Sequence, residues 1–206
     1  MEIKKLINNS SVFIIKRFIE IYGLTILFLG ILLFVSLATY SPEDPNFIFP
    51  EKTKIKNLLG FRGSFVADFF FQSFGIISIL FSISIFITGI NIIKSKKIFL
   101  FFKNLFYIIL FTLLGSLFFS TFYLESFLLP INGSGGFIGA YLKNTFLISL
   151  ININLNFSYF FLIFLNIILF LISINFRINL FLKYINKIFK ILFSKKEKNY
   201  TNENEI

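Results

Sequence analysis

The chain has 206 residues, 56% of them hydrophobic, and a mean hydropathy of +0.84. A soluble domain of this size would have to expose far more apolar surface than water tolerates, so lipid is much of its solvent. The absence of Cys and His excludes disulfides, thiolate nucleophiles, Cys-ligated metals and the commonest general base. The formal charge of +10 falls mostly in segments flanking apolar runs, where membrane topology explains it before nucleic acid does. With 34 Phe, no Trp and abundant Ile, Asn and Lys, the composition looks like AT-rich coding, so single Phe or Asn positions carry less meaning than usual.

In chain order, an N-terminal tail over 1–20 holds Lys4, Lys5, Lys16 and Arg17. A run over 21–39, free of charge, is predicted to cross the bilayer, whose hydrocarbon core of about 30 Å needs about 20 helical residues. Its dozen or so strongly apolar residues favour insertion by about 5 kcal/mol. It lacks a small-residue cleavage site and reads as an anchor. Tyr40-Ser41-Pro42-Glu43-Asp44-Pro45 ends it, because each Pro disfavours a helical residue before it. Ser41, Pro42 and Asp44 also fit the N-cap, N1 and N3 positions of a short new helix. A polar loop reaches Arg62. The second span is predicted over 69–93, with Asp68 at its entrance, followed by the basic turn Lys94-Ser95-Lys96-Lys97. The third covers 104–123, with Lys103 placed to snorkel. A long loop then carries Gly133-Ser134-Gly135-Gly136 and the apolar stretch 137–150. Lys143 and Asn144 break that stretch, which is too short and polar to span and predicts an interfacial or re-entrant helix. The fourth span is predicted over 157–174. Over 177–193, Asn179, Lys183, Asn186, Lys187 and Lys190 share one helical face, opposite Leu180, Tyr184, Ile188, Ile191 and Leu192. That pattern predicts a basic amphipathic helix on the membrane surface. The tail over 194–206 reads as disordered.

The fold class is therefore an all-α membrane protein: four transmembrane helices over 21–176, both termini cytoplasmic, and an interfacial or re-entrant helix in the last periplasmic loop. With that orientation fifteen Lys and Arg lie inside and five outside, as the positive-inside rule prefers. Counting 137–150 as a fifth span would move the seven C-terminal cations outside.

Small residues recur at helix-contact spacing: Gly75, Ser78, Ser82 and Gly89 in the second span, and Thr112, Ser116 and Ser120 in the third, beside Gly115. In lipid, close backbone approach at small residues drives helix association, so these two spans are expected to pack as a hairpin. A substrate path is the sharper alternative, disfavoured because no ionisable residue lies deep in a span. Asn166, near the middle of the fourth span, is expected to bond across to another helix, a ligand contact being the rarer use. Asp68 and Glu125 are the carboxylates near membrane entrances. Nothing in the sequence brings them together for acid–base work, and solvation is the expected role. There is no phosphate-cradling G-x-x-x-x-G-K-[ST] run, H-E-x-x-H, G-x-S-x-G or kinase signature. No catalytic, cofactor-binding or metal residues are predicted.

Three stretches carry a resemblance. Tyr40 to Pro45 is followed by Asn57-Leu58-Leu59-Gly60-Phe61-Arg62-Gly63-Ser64-Phe65-Val66-Ala67-Asp68, and later by Gly135-Gly136-Phe137-Ile138-Gly139. In this order they resemble the N-terminal four-span membrane domain of the FtsK family of DNA translocases, with its S-Y-S-P-x-D-P, N-x-x-G-x-x-G-A-x-x-A-D and G-G-x-x-G patterns. The resemblance covers roughly 21–176. Leu58 replaces a frequent Trp and Ser64 a frequent Ala. It makes Ser41, Pro42, Asp44, Pro45, Asn57, Gly60, Gly63, Ala67, Asp68, Gly135, Gly136 and Gly139 the family-motif positions, with a mechanical role expected for each. Family members continue into a RecA-like motor. This sequence ends at Ile206, so ATP hydrolysis and DNA pumping are not assigned to it, and it can equally be a stand-alone module or the anchor of a longer protein.

The resemblance implies a septal anchor or scaffold in the bacterial inner membrane. The bilayer and other divisome membrane proteins would be its partners, self-association is compatible with it, and no direct nucleic-acid site is expected. A membrane subunit of a transporter is the alternative. A lipid-acting enzyme comes third, lacking His, Cys or paired intramembrane carboxylates.

Overall fold

The computed structural model describes residues 2–45, 54–123, 129, 131–177 and 186, the side chains from Ser11 onward. Seven α-helices and no strands occur among them: α1 Glu2–Ala38, α2 Gly60–Phe74, α3 Ser78–Ser95, α4 Phe99–Phe122, α5 Gly136–Lys143, α6 Leu147–Ile153 and α7 Leu155–Ser173. A 3₁₀ turn over Gly75–Ile77 joins α2 to α3. Four stretches are long and apolar enough to cross a membrane: Ser11–Ala38, Gly60–Ser95, Phe99–Phe122 and Leu155–Ser173. The protein is thus an all-α, multi-pass membrane protein. Residues 176–206 form a separate unit. The surface helix expected over 177–193 and the tail over 194–206 lie almost wholly outside the described residues, as does Glu125.

The helices start earlier than the charge-free runs. Glu2 begins α1 because neither Gly nor Pro interrupts the chain before Gly23, and the charges of Lys16, Arg17 and Glu20 do not stop a helix. The second apolar stretch is not one rod. Residues eight apart in a straight helix are separated by about 12 Å of rise, yet Ser78 Oγ donates to the Phe70 carbonyl at 2.8 Å. The chain turns at Gly75, whose φ of +74° with ψ of −153° suits a residue without a side chain. The span expected over 69–93 lies within the apolar stretch Gly60–Ser95 but is interrupted at Gly75, and α2 packs against the end of α1, where Leu37, Ala67, Phe71 and Leu129 form a core cluster.

The second and third spans pack on each other as expected, but not as an exclusive pair. The most extensive contact of α3 is with α1. A Cβ on Gly89 would lie 2.6 Å from Leu27 Cα, and one on Gly30 would lie 2.7 Å from Phe86 Cα, so the two backbones touch at reciprocal glycines. α4 packs on α3 and on the 3₁₀ turn, where Gly115 meets Ile77, but more on α7 and α5. Phe111 and Phe170 meet edge-to-face across the α4–α7 contact. Over the apolar stretch 137–150, α5 and α6 bend by 72°, the shape of a re-entrant or interfacial hairpin.

Connectivity puts the described residues 39–45, 54–59 and 131–154 at one end of the bundle, the loop end. The α3–α4 turn and the exit of α7 lie at the other, the turn end.

Candidate functional site

At the loop end the last carbonyls of α1 need partners, since a helix leaves four unsatisfied. Asn57 supplies one: its Nδ2 donates to the Ser36 carbonyl at 2.9 Å and to that of Thr39 at 3.3 Å, while its Oδ1 accepts from Leu59 N at 3.1 Å. Asn57 is itself held by Asp44, whose carboxylate accepts the backbone N–H of Lys56 at 2.8 Å and of Asn57 at 2.9 Å. Asp44 and Asn57 are both buried. Residues 41–45 form a turn, Asp44 N donating to the Ser41 carbonyl, in place of the short helix expected from Ser41, Pro42 and Asp44. The carboxylate satisfies a distant strand of loop, not a local helix start. Ser64 Oγ donates to the Pro45 carbonyl at 3.1 Å, and Ser36 Oγ to that of Gly63 at 2.5 Å. A Cβ on Gly63 would lie 2.5 Å from that of Leu59, while Gly60 has open space but a φ of +65°. Ala67 is fully buried in the cluster around Leu37.

Asp68 is buried and not solvated as its place in the sequence suggested. It accepts from Tyr40 Oη at 3.1 Å and from Gln72 Nε2 at 3.4 Å. Burial, and then the adjacent Asp68 charge, raise the pKa of the Tyr40 hydroxyl above its ordinary value. Gln72 continues the network, its Oε1 accepting from Asn132 Nδ2 at 2.8 Å. Asn132 opens the glycine-rich loop. That loop's Ser134 carbonyl accepts Ile76 N at 2.9 Å, directly at the helix break. A Cβ on Gly136 (φ +66°) would lie 2.6 Å from Gly75 N, and one on Gly135 2.6 Å from the Ser120 side chain. One on Gly139 would strike the Ser116 carbonyl. Ser116 Oγ donates to the Phe74 carbonyl at 2.8 Å.

The three motif stretches, far apart in sequence, thus meet at the loop end: the first two through the Asp44–Asn57 and Tyr40–Asp68 hydrogen-bond groups, the third through close backbone approach of Gly135, Gly136 and Gly139. These contacts tie together the end of α1, the start of α2, the α2–α3 break and the start of α5. Asp44 and Asp68 are each occupied by donors of the chain, and no group of three acidic side chains able to hold a metal occurs among the described residues. Above the network α2 exposes Phe61, Arg62, Phe65 and Phe69, beside Leu58, which is 76% exposed. Glu43 pairs with Lys56 at the rim, which lowers the carboxyl pKa and raises that of the amine.

The remaining small residues serve separate contacts. Ser82 and Thr112 return their hydroxyls to carbonyls of their own helices, those of Ile79 and Ile108. Ser78 braces the break, Gly89 meets α1, and Ser120 receives Gly135. Asn166 does not bond across: its Nδ2 donates to the Leu162 carbonyl at 2.9 Å, and its buried Oδ1 has no hydrogen-bond donor. At the turn end a second polar cluster was not foreseen. Asn104, fully buried, donates to Thr88 Oγ1 at 3.1 Å and accepts from Asn175 Nδ2 at 2.8 Å, while Lys103 donates to Asn175 Oδ1 at 2.6 Å. Asn91 Nδ2 donates to the Ile174 carbonyl at 2.8 Å. Polar residues at the facing ends of spans were the available signal.

Fold and site together define a multi-span membrane domain with a built-up loop end. A family model, the 4TM region of DNA translocase FtsK/SpoIIIE, matches residues 15–188. The chain belongs to that family, and the match is to its membrane region, not to an ATPase motor. Comparison with curated proteins and with solved structures gave no match.

Proposed function

We propose that the chain is the membrane anchor and scaffold of an FtsK-like DNA translocase for cell division and chromosome segregation. It sits in the bacterial inner membrane, acts at the septum through other divisome membrane proteins, and keeps both termini in the cytoplasm. The observation that carries this reading is the convergence of the three family-like motifs at the loop end, held by hydrogen bonds and close glycine packing. A set of contacts that over-determines the shape of the loop end suits a surface that partners must recognise, and Leu58, Phe61 and Arg62 stand exposed on it. Family membership supports the reading independently. A transporter subunit would need polar side chains turned into a cavity at mid-depth, whereas the Asn166 amide donates to its own helix.

The test is the position of a fluorescent fusion of the full chain in dividing cells. Enrichment at the septum, lost in a Leu58→Glu/Phe61→Glu variant that still inserts, is the expected result. A signal spread evenly around the cell would contradict a septal role.

A further inference from the structure

The cations of the turn end do more than set topology. Glu20 is saturated there: Oε2 pairs with Arg17 at 2.5 Å and Oε1 with Lys96 at 2.7 Å. That pairing clips α1 to the C-terminus of α3, where Lys96 takes the left-handed conformation (φ 54°) that ends the helix. Tyr22 of α1 meets Phe101 of α4 edge-to-face at 5.6 Å, so the start of α4 is drawn to the same place. Lys16, Lys94 and Lys97 stand exposed around this clip, and none makes an ion pair among the described residues. Five cations thus surround one carboxylate that two of them already neutralise. The first turn of α4 adds backbone N–H groups with no side-chain cap.

We propose that this cluster is a binding site for the headgroup of an anionic phospholipid. Its phosphate oxygens would be held between Lys16 on α1 and Lys94 and Lys97 at the turn. Basic clusters between helices at a membrane surface bind such headgroups. A lipid, not a soluble phosphate, is indicated by what borders the cations. Moving from them into the bundle, α1 exposes Phe18 and Ile21 and α4 exposes Ile98, Phe99 and Phe102, with Phe99 75% exposed. Charge for a headgroup and open aromatic and aliphatic surface for acyl chains are adjacent, and a free anion would use only the first. Three lysines without an acidic partner carry more charge than one phosphate, so a lipid with two phosphates, cardiolipin, is the probe.

The test uses the full chain purified in a neutral detergent, with bound lipid quantified by native mass spectrometry. This readout does not depend on which side of the membrane the turn faces or on any septal role. Cardiolipin should be retained and phosphatidylethanolamine should not, and deacylated cardiolipin at equal concentration should not compete. A Lys16→Gln/Lys94→Gln/Lys97→Gln variant should bind cardiolipin about fivefold more weakly per lysine, on the order of a hundredfold in all. Lys54→Gln/Arg62→Gln at the loop end should bind as the parent does. Equal affinity in the triple variant, or an equal loss in the loop-end variant, would overturn the proposal. So would equal retention of phosphatidylethanolamine or full competition by the soluble headgroup. The comparison of lipids on the unaltered chain decides the matter even if the triple variant does not fold.

Discussion

At the scale of single residues, the loop end rests on groups whose loss strands others. Removing the Asp44 carboxylate leaves the buried Asn57 N–H without an acceptor, at about 1–3 kcal/mol, and the part-buried Lys56 N–H without one at a smaller cost. Asp44→Ala should therefore lower stability in detergent by about 2–4 kcal/mol, read as a fall in the thermal unfolding midpoint. Glu43→Gln next to it should change stability by less than about 0.5 kcal/mol, because its pair with Lys56 is exposed. The glycines divide by cause. Gly60→Ala meets no atom and suffers only its positive φ, about 1 kcal/mol. Gly139→Ala must push α5 off Ser116, an overpacking cost of about 1–3 kcal/mol. Tyr40 gives the loop end an alkaline limit. Its hydroxyl pKa is raised by burial and by Asp68, so the folded state holds the proton more tightly than the unfolded chain. This contribution is intact below the unfolded value of about 10 and declines as pH rises above it. Tyr40→Phe should flatten that decline in pH-dependent unfolding while lowering stability at neutral pH, where Asp68 loses a donor.

At the scale of elements, hydropathy made the number of apolar stretches legible, and the re-entrant hairpin was legible because Lys143 and Asn144 cut 137–150. The break at Gly75 was not. Apolar residues continue through it, and a single glycine inside a span is ordinary, so its meaning comes from Ser134 and Gly136 arriving from far along the chain. The main partner of α3 was illegible for a related reason. Small residues mark where backbones can approach, not which helix approaches, and Gly89 proved to answer Gly30 and Leu27 of α1. Asp68 looked like a solvated entrance residue because Tyr40 and Gln72 become its neighbours only when α2 folds against α1. The α1–α3 contact is directly testable. Gly30→Ala should force the two helices apart, because its Cβ would lie 2.7 Å from Phe86 Cα, and lower the thermal unfolding midpoint through an overpacking cost of about 1–3 kcal/mol. Ile109→Ala, at an exposed position on α4, should cost less.

At the scale of the whole molecule, the two ends are built for different work. The loop end is a polar network under an exposed aromatic face. At the turn end a buried Asn104–Asn175 bond and Lys103 fix the point where the chain leaves α7. A rigid exit is what an anchor needs if it is to hold a cytoplasmic segment in a defined place. The proposed role depends on these ends facing opposite sides of one membrane, with the loop end outside. The most direct measurement is labelling of single cysteines in intact cells with a membrane-impermeant maleimide, at Lys54→Cys in the loop end and Lys97→Cys in the turn. Labelling at 54 without permeabilisation, and at 97 only after it, is the predicted result. Labelling of 97 in intact cells, or of both positions, would contradict the topology and with it the assignment of the loop end as the surface offered to periplasmic partners.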